Sequence, residues 1–283
     1  IFTHGLCMNH LEWSNRRYGG IGEKLLAQRD HNTMLYLNYN TGRRISANGR
    51  SLANTLEDLI QRNPLITSID LIGHSMGGLV LRSALFYGKQ NMHQWMHLTE
   101  NLVCLGSPHH GAVLERFGFI LQDRLGHFPF VKIVRHIVNI RSNGILDLRY
   151  GSVRDDDWEH NTARIGGMDD NRKPAPLPSH INTFLVAGSV VYENRKNRHF
   201  DLLGDYLVSV KSALGEHPNP RFQLKLPESN KAIFYGIHHF EIHYHSNVAE
   251  QIVRWFYPPP DAPIKEQVHE YRMQLTDLSN SAP

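Results

Sequence analysis

Gly73-His74-Ser75-Met76-Gly77 constrains this chain more than any other stretch of it. Ser68-Ile69-Asp70-Leu71-Ile72 precedes it as a short apolar run of strand character, and Gly78 to Leu85 follows with the pattern of a buried helix. A serine between the two has to sit on a forced turn, on strained backbone, with its hydroxyl turned outward. The flanking glycines let strand and helix close on each other where a Cβ would intervene. The Met76 N–H then lies at a helix N-terminus, whose partial positive charge can stabilise an oxyanion.

Strand-like and helical runs alternate on both sides of this turn. Thr33–Leu37, Ile69–Ile72, Leu102–Leu105, Thr183–Ala187 and Ala232–Tyr235 read as buried strands. Ser51–Arg62 carries Leu52, Leu56, Leu59 and Ile60 at helical spacing and stops at Asn63-Pro64. A last helix, capped by Ser246 or Asn247, runs through Val248, Ile252, Val253 and Phe256 to Pro258. Nearly continuous apolar strands between helices imply an α/β fold with a mostly parallel sheet covered on both faces. Residues 113–180 break the rhythm. Phe117, Phe119, Phe128 and Phe130, with Ile120, Ile133 and Ile137, supply more apolar surface than a helix pair needs, so this stretch reads as a helical cap inserted over the sheet's carboxyl edge. One domain over 1–257, cap included, followed by a polar tail over 258–283 that is loose or helical, is the expected organisation. The chain opens at Ile1-Phe2-Thr3, already inside a core strand and without an initiator Met, which predicts further N-terminal residues with at least one more strand and any targeting signal.

The bulk numbers exclude some partners. A formal charge of +3 on 283 residues, with no basic block beyond Arg16-Arg17 and Arg43-Arg44, argues against nucleic acid. No run of apolar residues is long enough to span a bilayer, while peripheral contact with a membrane stays open. The two cysteines, Cys7 and Cys104, fall in or beside apolar strand-like runs and read as buried free thiols, which suits a reducing compartment and weakly favours the cytoplasm.

A serine on such an elbow takes an acid and then a histidine from loops after later strands. The acid is Asp205 or Asp201, both beyond the Thr183–Ala187 strand. Among 19 histidines, His239 is selected by position: it follows the Ala232–Tyr235 strand and precedes the last helix. A zinc site at His239, His243 and His245 lacks the spacing of a known metal motif, and no metal or other cofactor is expected. The second oxyanion donor falls in the loop after the first strand, His4-Gly5-Leu6, with the Leu6 N–H as donor and Gly5 permitting the turn. In this scheme His239 takes the Ser75 proton, the acid orients the imidazolium, and the Leu6 and Met76 N–H groups hold the oxyanion.

His4-Gly5-Leu6, Tyr39–Gly42 with Asn48-Gly49, Gly73–Gly78, Gly106-Ser107-Pro108-His109-His110-Gly111, Gly204–Gly215, Gly236–Phe240 and Trp255 together resemble an α/β-hydrolase of the lipase/esterase type. The chain is most similar to bacterial relatives of the eukaryotic GPI inositol-deacylase family. The resemblance spans residues 4–256 and implies Asp205 rather than Asp201 as the acid. It departs from the pattern at His238, where an Asn is usual, and at Tyr206, where a small residue is usual. It implies a serine hydrolase acting on carboxylic esters of small-molecule or lipid-like acyl groups. An amidase or acyltransferase would use the same triad. A binding protein that keeps the fold without turnover would lack a triad member, and none is missing here.

Overall fold

A computed structural model describes residues 1–13, 20–28, 32–112, 142–159, 172–191, 204–258 and 269–271. The phenylalanine-rich part of the expected cap, the rival acid Asp201 and most of the tail lie outside these residues.

The described strands form one seven-stranded sheet in which every pairing is parallel. In chain order they are β1 (Phe2–Thr3), β2 (Tyr36–Leu37), β3 (Ile69–His74), β4 (Thr99–Leu105), β5 (Asn182–Ser189), β6 (Lys231–Tyr235) and β7 (His269–Tyr271). Across the sheet the order is β2-β1-β3-β4-β5-β6-β7. The helices are α1 (Ile21–Leu26), α2 (Ile45–Arg62), α3 (Met76–Gln90), α4 (Trp95–Leu98), α5 (Asn143–Tyr150), α6 (Asp156–Glu159), α7 (Val210–Ala213) and α8 (Ser246–Phe256).

The period-2 geometry of a strand sends successive side chains to opposite faces, and here both faces are apolar. Leu71, Leu102, Cys104, Leu185 and Ala187 pack with α2, α3 and α5 in one core. Their neighbours Ile72, Val103, Leu105, Phe184 and Val186 pack with α1 and α8 in the other. Strand order reverses at β1, which pairs with β2 on one side and β3 on the other. The connections leaving β1 and β3 therefore pass to opposite faces and open a crevice at the carboxyl ends of these strands.

Three local features differ from the sequence reading. Helix α2 begins at Ile45 rather than Ser51. Its extra turn buries Ser46, Asn48 and Gly49, which carry no apolar periodicity, and the Ile45 N–H is capped by Asp147 Oδ2 from α5 at 2.8 Å. The cap of α8 is neither Ser246 nor Asn247: His245 occupies that place, its Nδ1 accepting the Asn247 N–H at 3.3 Å. Residues 269–271, expected to be loose or helical, form β7 beside β6.

Candidate active site

Ser75 follows β3 directly and stands at the N-cap of α3 with φ 54° and ψ −122°. This left-handed region is costly for a residue with a Cβ and is held only when the surroundings over-determine it. The glycines do so. A Cβ on Gly73 would come within 2.5–2.7 Å of the Gly77–Gly78 backbone, and one on Gly77 would strike the Thr3 carbonyl and lie 2.7 Å from that of His4. Strand and helix can turn this sharply only with hydrogen at both places.

Asp205 and His239 lie in the loops after β5 and β6, the places where chain order leads one to expect an acid and a histidine. Ser75 Oγ lies 2.8 Å from His239 Nε2, and His239 Nδ1 lies 2.7 Å from Asp205 Oδ2. A carboxylate can only accept, so Nδ1 carries the proton and donates to Asp205. This leaves the Nε2 lone pair to accept from the Ser75 hydroxyl. The other oxygen of Asp205, Oδ1, accepts the N–H groups of Leu207 (3.0 Å) and Val208 (2.8 Å). Gly204 (φ 50°) and Tyr206 (φ 82°) make the tight loop that aims both N–H groups back at the carboxylate. The His239 N–H donates to the Asp205 carbonyl at 3.0 Å, so the two loops are tied through backbone as well as side chain. All three residues are buried, Asp205 completely.

Leu6 lies in the loop after β1, beside Ser75 in the same cleft. Residues 5–8 form a turn closed by the Met8 N–H on the Gly5 carbonyl (3.3 Å), with Cys7 at φ 60°. The Cys7 N–H is taken by Thr41 Oγ1 at 3.4 Å. Such a turn leaves the N–H of its second residue, Leu6, free of an internal partner. A Cβ on Gly5 would stand 3.1 Å from that of Ser75, so the turn runs against the serine. Met76 opens α3, and its N–H has no carbonyl one turn back in the helix. The cleft between these groups is walled by Leu6, Ala112, Leu148, Leu207, Val208 and Phe240.

His74 is a residue to which the sequence reading gives no part. Its Nε2–H donates to the His239 carbonyl at 2.9 Å, fixing the loop that carries His239. Its ring lies between those of His239 (4.9 Å) and His243 (4.7 Å), tilted against both, and His243 Nε2–H donates in turn to the Glu12 carbonyl at 2.8 Å. His243 thus braces this cluster, and His245 caps α8.

Burial, reinforced by the neighbouring imidazoles, holds His74 well below the usual histidine range and brings His243 down to about 4. Burial likewise depresses His109 strongly and brings His110 to about 3. These side chains fold neutral, whereas the unfolded chain protonates them near pH 6.5. Their contribution to stability is complete above that pH and is lost as pH falls toward the folded values. His243 alone accounts for about 3 kcal/mol across that window. Thermal or urea unfolding is expected to show a steep loss of stability from pH 6.5 down to pH 4, and a flat profile over that range would contradict the neutral buried histidines.

Comparison with known proteins bears on the fold. Residues 1–217 match the family model described as PGAP1-like alpha/beta domain, a span that includes Ser75 and Asp205 and ends before His239. A search of curated proteins gives no match. Among solved structures, the mature form of Bacillus licheniformis lipase BlEst2 aligns with a TM-score of 0.54 at 19% identity, over 90% of this chain and 89% of that one. The same lipase in its propeptide form aligns with a TM-score of 0.54 at 17% identity, over 94% of this chain and 52% of that one. At such identities the likeness is one of fold, and the fold is that of the α/β-hydrolases. Among the described residues no helix is long and apolar enough to cross a membrane.

Proposed function

Because the chain belongs to the PGAP1-like alpha/beta family, we propose that it is a serine hydrolase that cleaves carboxylic esters through an acyl-enzyme. The observation that carries this reading is the continuous relay of 2.8 Å and 2.7 Å contacts from Ser75 through His239 to Asp205, mounted on the strained elbow.

Ser75 Oγ attacks the acyl carbonyl while its proton passes to His239 Nε2, and the Asp205 carboxylate stabilises the imidazolium so formed. The N–H groups of Leu6 and Met76 receive the negative charge that develops on the carbonyl oxygen, each such donor contributing about 3 kcal/mol to lowering the barrier. Collapse of the tetrahedral intermediate breaks the ester C–O bond, and the His239 proton goes to the departing alkoxide. Water then repeats the sequence on the acyl-enzyme, with His239 again as base, and releases the acid and free Ser75.

The apolar cleft wall supports an aliphatic acyl group over a charged one. The lipase named among the structural neighbours is consistent with a lipid-like ester. On this reading kcat/KM for p-nitrophenyl esters rises from acetyl through butyryl, hexanoyl and octanoyl, by about fourfold per methylene, the equivalent of about 0.8 kcal/mol of burial, until the cleft is full. A profile that is flat or falls with chain length would overturn the acyl-chain assignment, and inertness toward every ester would overturn the hydrolase itself.

A further inference from the structure

A second pocket shares no lining residue with the Ser75 cleft. It lies behind the Pro108–Gly111 turn, between α3, the segment from Arg172 to Pro176 and the loop at 221–224. Its volume is about 80 Å³, several times what one water molecule requires.

Its polar chemistry is one-sided. Among the described residues Arg82, Arg172, Lys173 and Arg221 line it, against one carboxylate, Asp157. That carboxylate is already engaged, with Oδ2 accepting the N–H groups of Val153 and Arg154 and Oδ1 that of Lys173. Arg82 is buried, and its Nη1 donates to His109 Nδ1 at 3.1 Å while its Nη2 donates to the Ala175 carbonyl at 3.2 Å. A guanidinium can only donate, so His109 Nδ1 must be the lone-pair nitrogen and its proton must sit on Nε2.

That Nε2–H, on a side chain 1% exposed, has no acceptor among the described residues, and neither has the Nε–H of Arg82. Burying such donors unpaired costs about 1–3 kcal/mol each, and both belong to side chains that line the pocket beside three further cations, Arg172, Lys173 and Arg221, a wall suited to an acceptor that arrives from outside. Burial lowers Arg82 only to about 10, which leaves it charged at neutral pH.

We infer that this pocket is a binding site for a tetrahedral oxyanion of the phosphate class, as inorganic phosphate or as a phosphoryl headgroup. The Arg82 and His109 side chains form its buried end. Lys173 and Arg221, both exposed, close on it from the mouth. Arg221 carries no ion pair among the described residues, and Lys173 shares Asp156 Oδ2 with Arg154.

Removing Arg82 would strand His109, so the test uses the two exposed cations. Inorganic phosphate is titrated calorimetrically into the parent and into the Lys173→Gln/Arg221→Gln double variant at constant ionic strength set with chloride. The parent is expected to bind saturably and the variant about tenfold or more weakly, with p-nitrophenyl acetate turnover the same in both. Co-sedimentation with phosphatidylcholine vesicles doped with phosphatidic acid separates the sources. Capture of the parent but not the variant identifies a headgroup, and phosphate binding without capture identifies the free ion. Absence of saturable phosphate binding, or equal affinity in the two proteins, would overturn the site. Because ester turnover is read separately, neither result depends on the fate of the proposed hydrolase.

Discussion

Ser75→Ala is expected to lower kcat for p-nitrophenyl butyrate by about 10⁶-fold, the scale on which loss of a triad serine is felt. The hydroxyl is the group that bonds to the acyl carbon, and the rest of the site cannot replace it. Such residual rate as remains would come from the oxyanion donors and from binding. The substitution should leave the fold intact. Alanine brings the same Cβ to the same φ of 54°, so the elbow carries no new strain, and the His239–Asp205 hydrogen bond does not involve the serine. Circular dichroism and the unfolding midpoint should match the parent. A variant that is folded and retains more than a few per cent of the activity would remove Ser75 from the mechanism.

Asp205→Asn is expected to cost about 10⁴-fold in kcat, the loss seen when the equivalent carboxylate of a serine protease triad is made neutral. The local geometry gives the reason. The Leu207 and Val208 N–H groups both point at Oδ1, so an asparagine has to keep its carbonyl oxygen there and turn its NH₂ toward His239. Nδ1 must then accept, the imidazole proton moves to Nε2, and the ring can no longer take a proton from Ser75. Asp201→Asn is the matched control and should stay close to parental kcat. Equal losses in the two variants, or a larger one at Asp201, would transfer the role of the acid.

How legible each part was in the sequence follows from how local its causes are. The elbow could be read because its demands fall on consecutive residues: a strand, two glycines where a Cβ has no room, and a helix. Chain order could anticipate that Asp205 and His239 come near Ser75, since a parallel sheet delivers the carboxyl end of each successive strand to the same edge. The choice of Asp205 came from resemblance, and the physical ground for it, two N–H groups converging on one carboxylate oxygen, depends on positive φ at Gly204 and Tyr206. No sequence pattern announces that conformation at a tyrosine.

His74 was missed because its partner, the His239 carbonyl, lies 165 residues away. The only local signal was its place immediately before the serine. The start of α2 was missed for a similar reason. Its cap comes from Asp147 in α5, and its first turn is buried through small and polar residues that carry no helical apolar rhythm. The three residues of β7, His-Glu-Tyr, lack apolar alternation, and their strand geometry is set by the ladder with β6.

Reaction with a fluorophosphonate tests most directly whether the relay activates Ser75. The reagent is attacked by a nucleophilic serine, which forms an O–P bond and expels fluoride, and the adduct is located by mass spectrometry of the digested protein. The account predicts one phosphonyl group, on Ser75, in the parent. It predicts no adduct in His239→Ala, where the hydroxyl is present but has no base to take its proton. Labelling at another residue such as Ser107, or labelling of Ser75 that His239→Ala leaves undiminished, would contradict it.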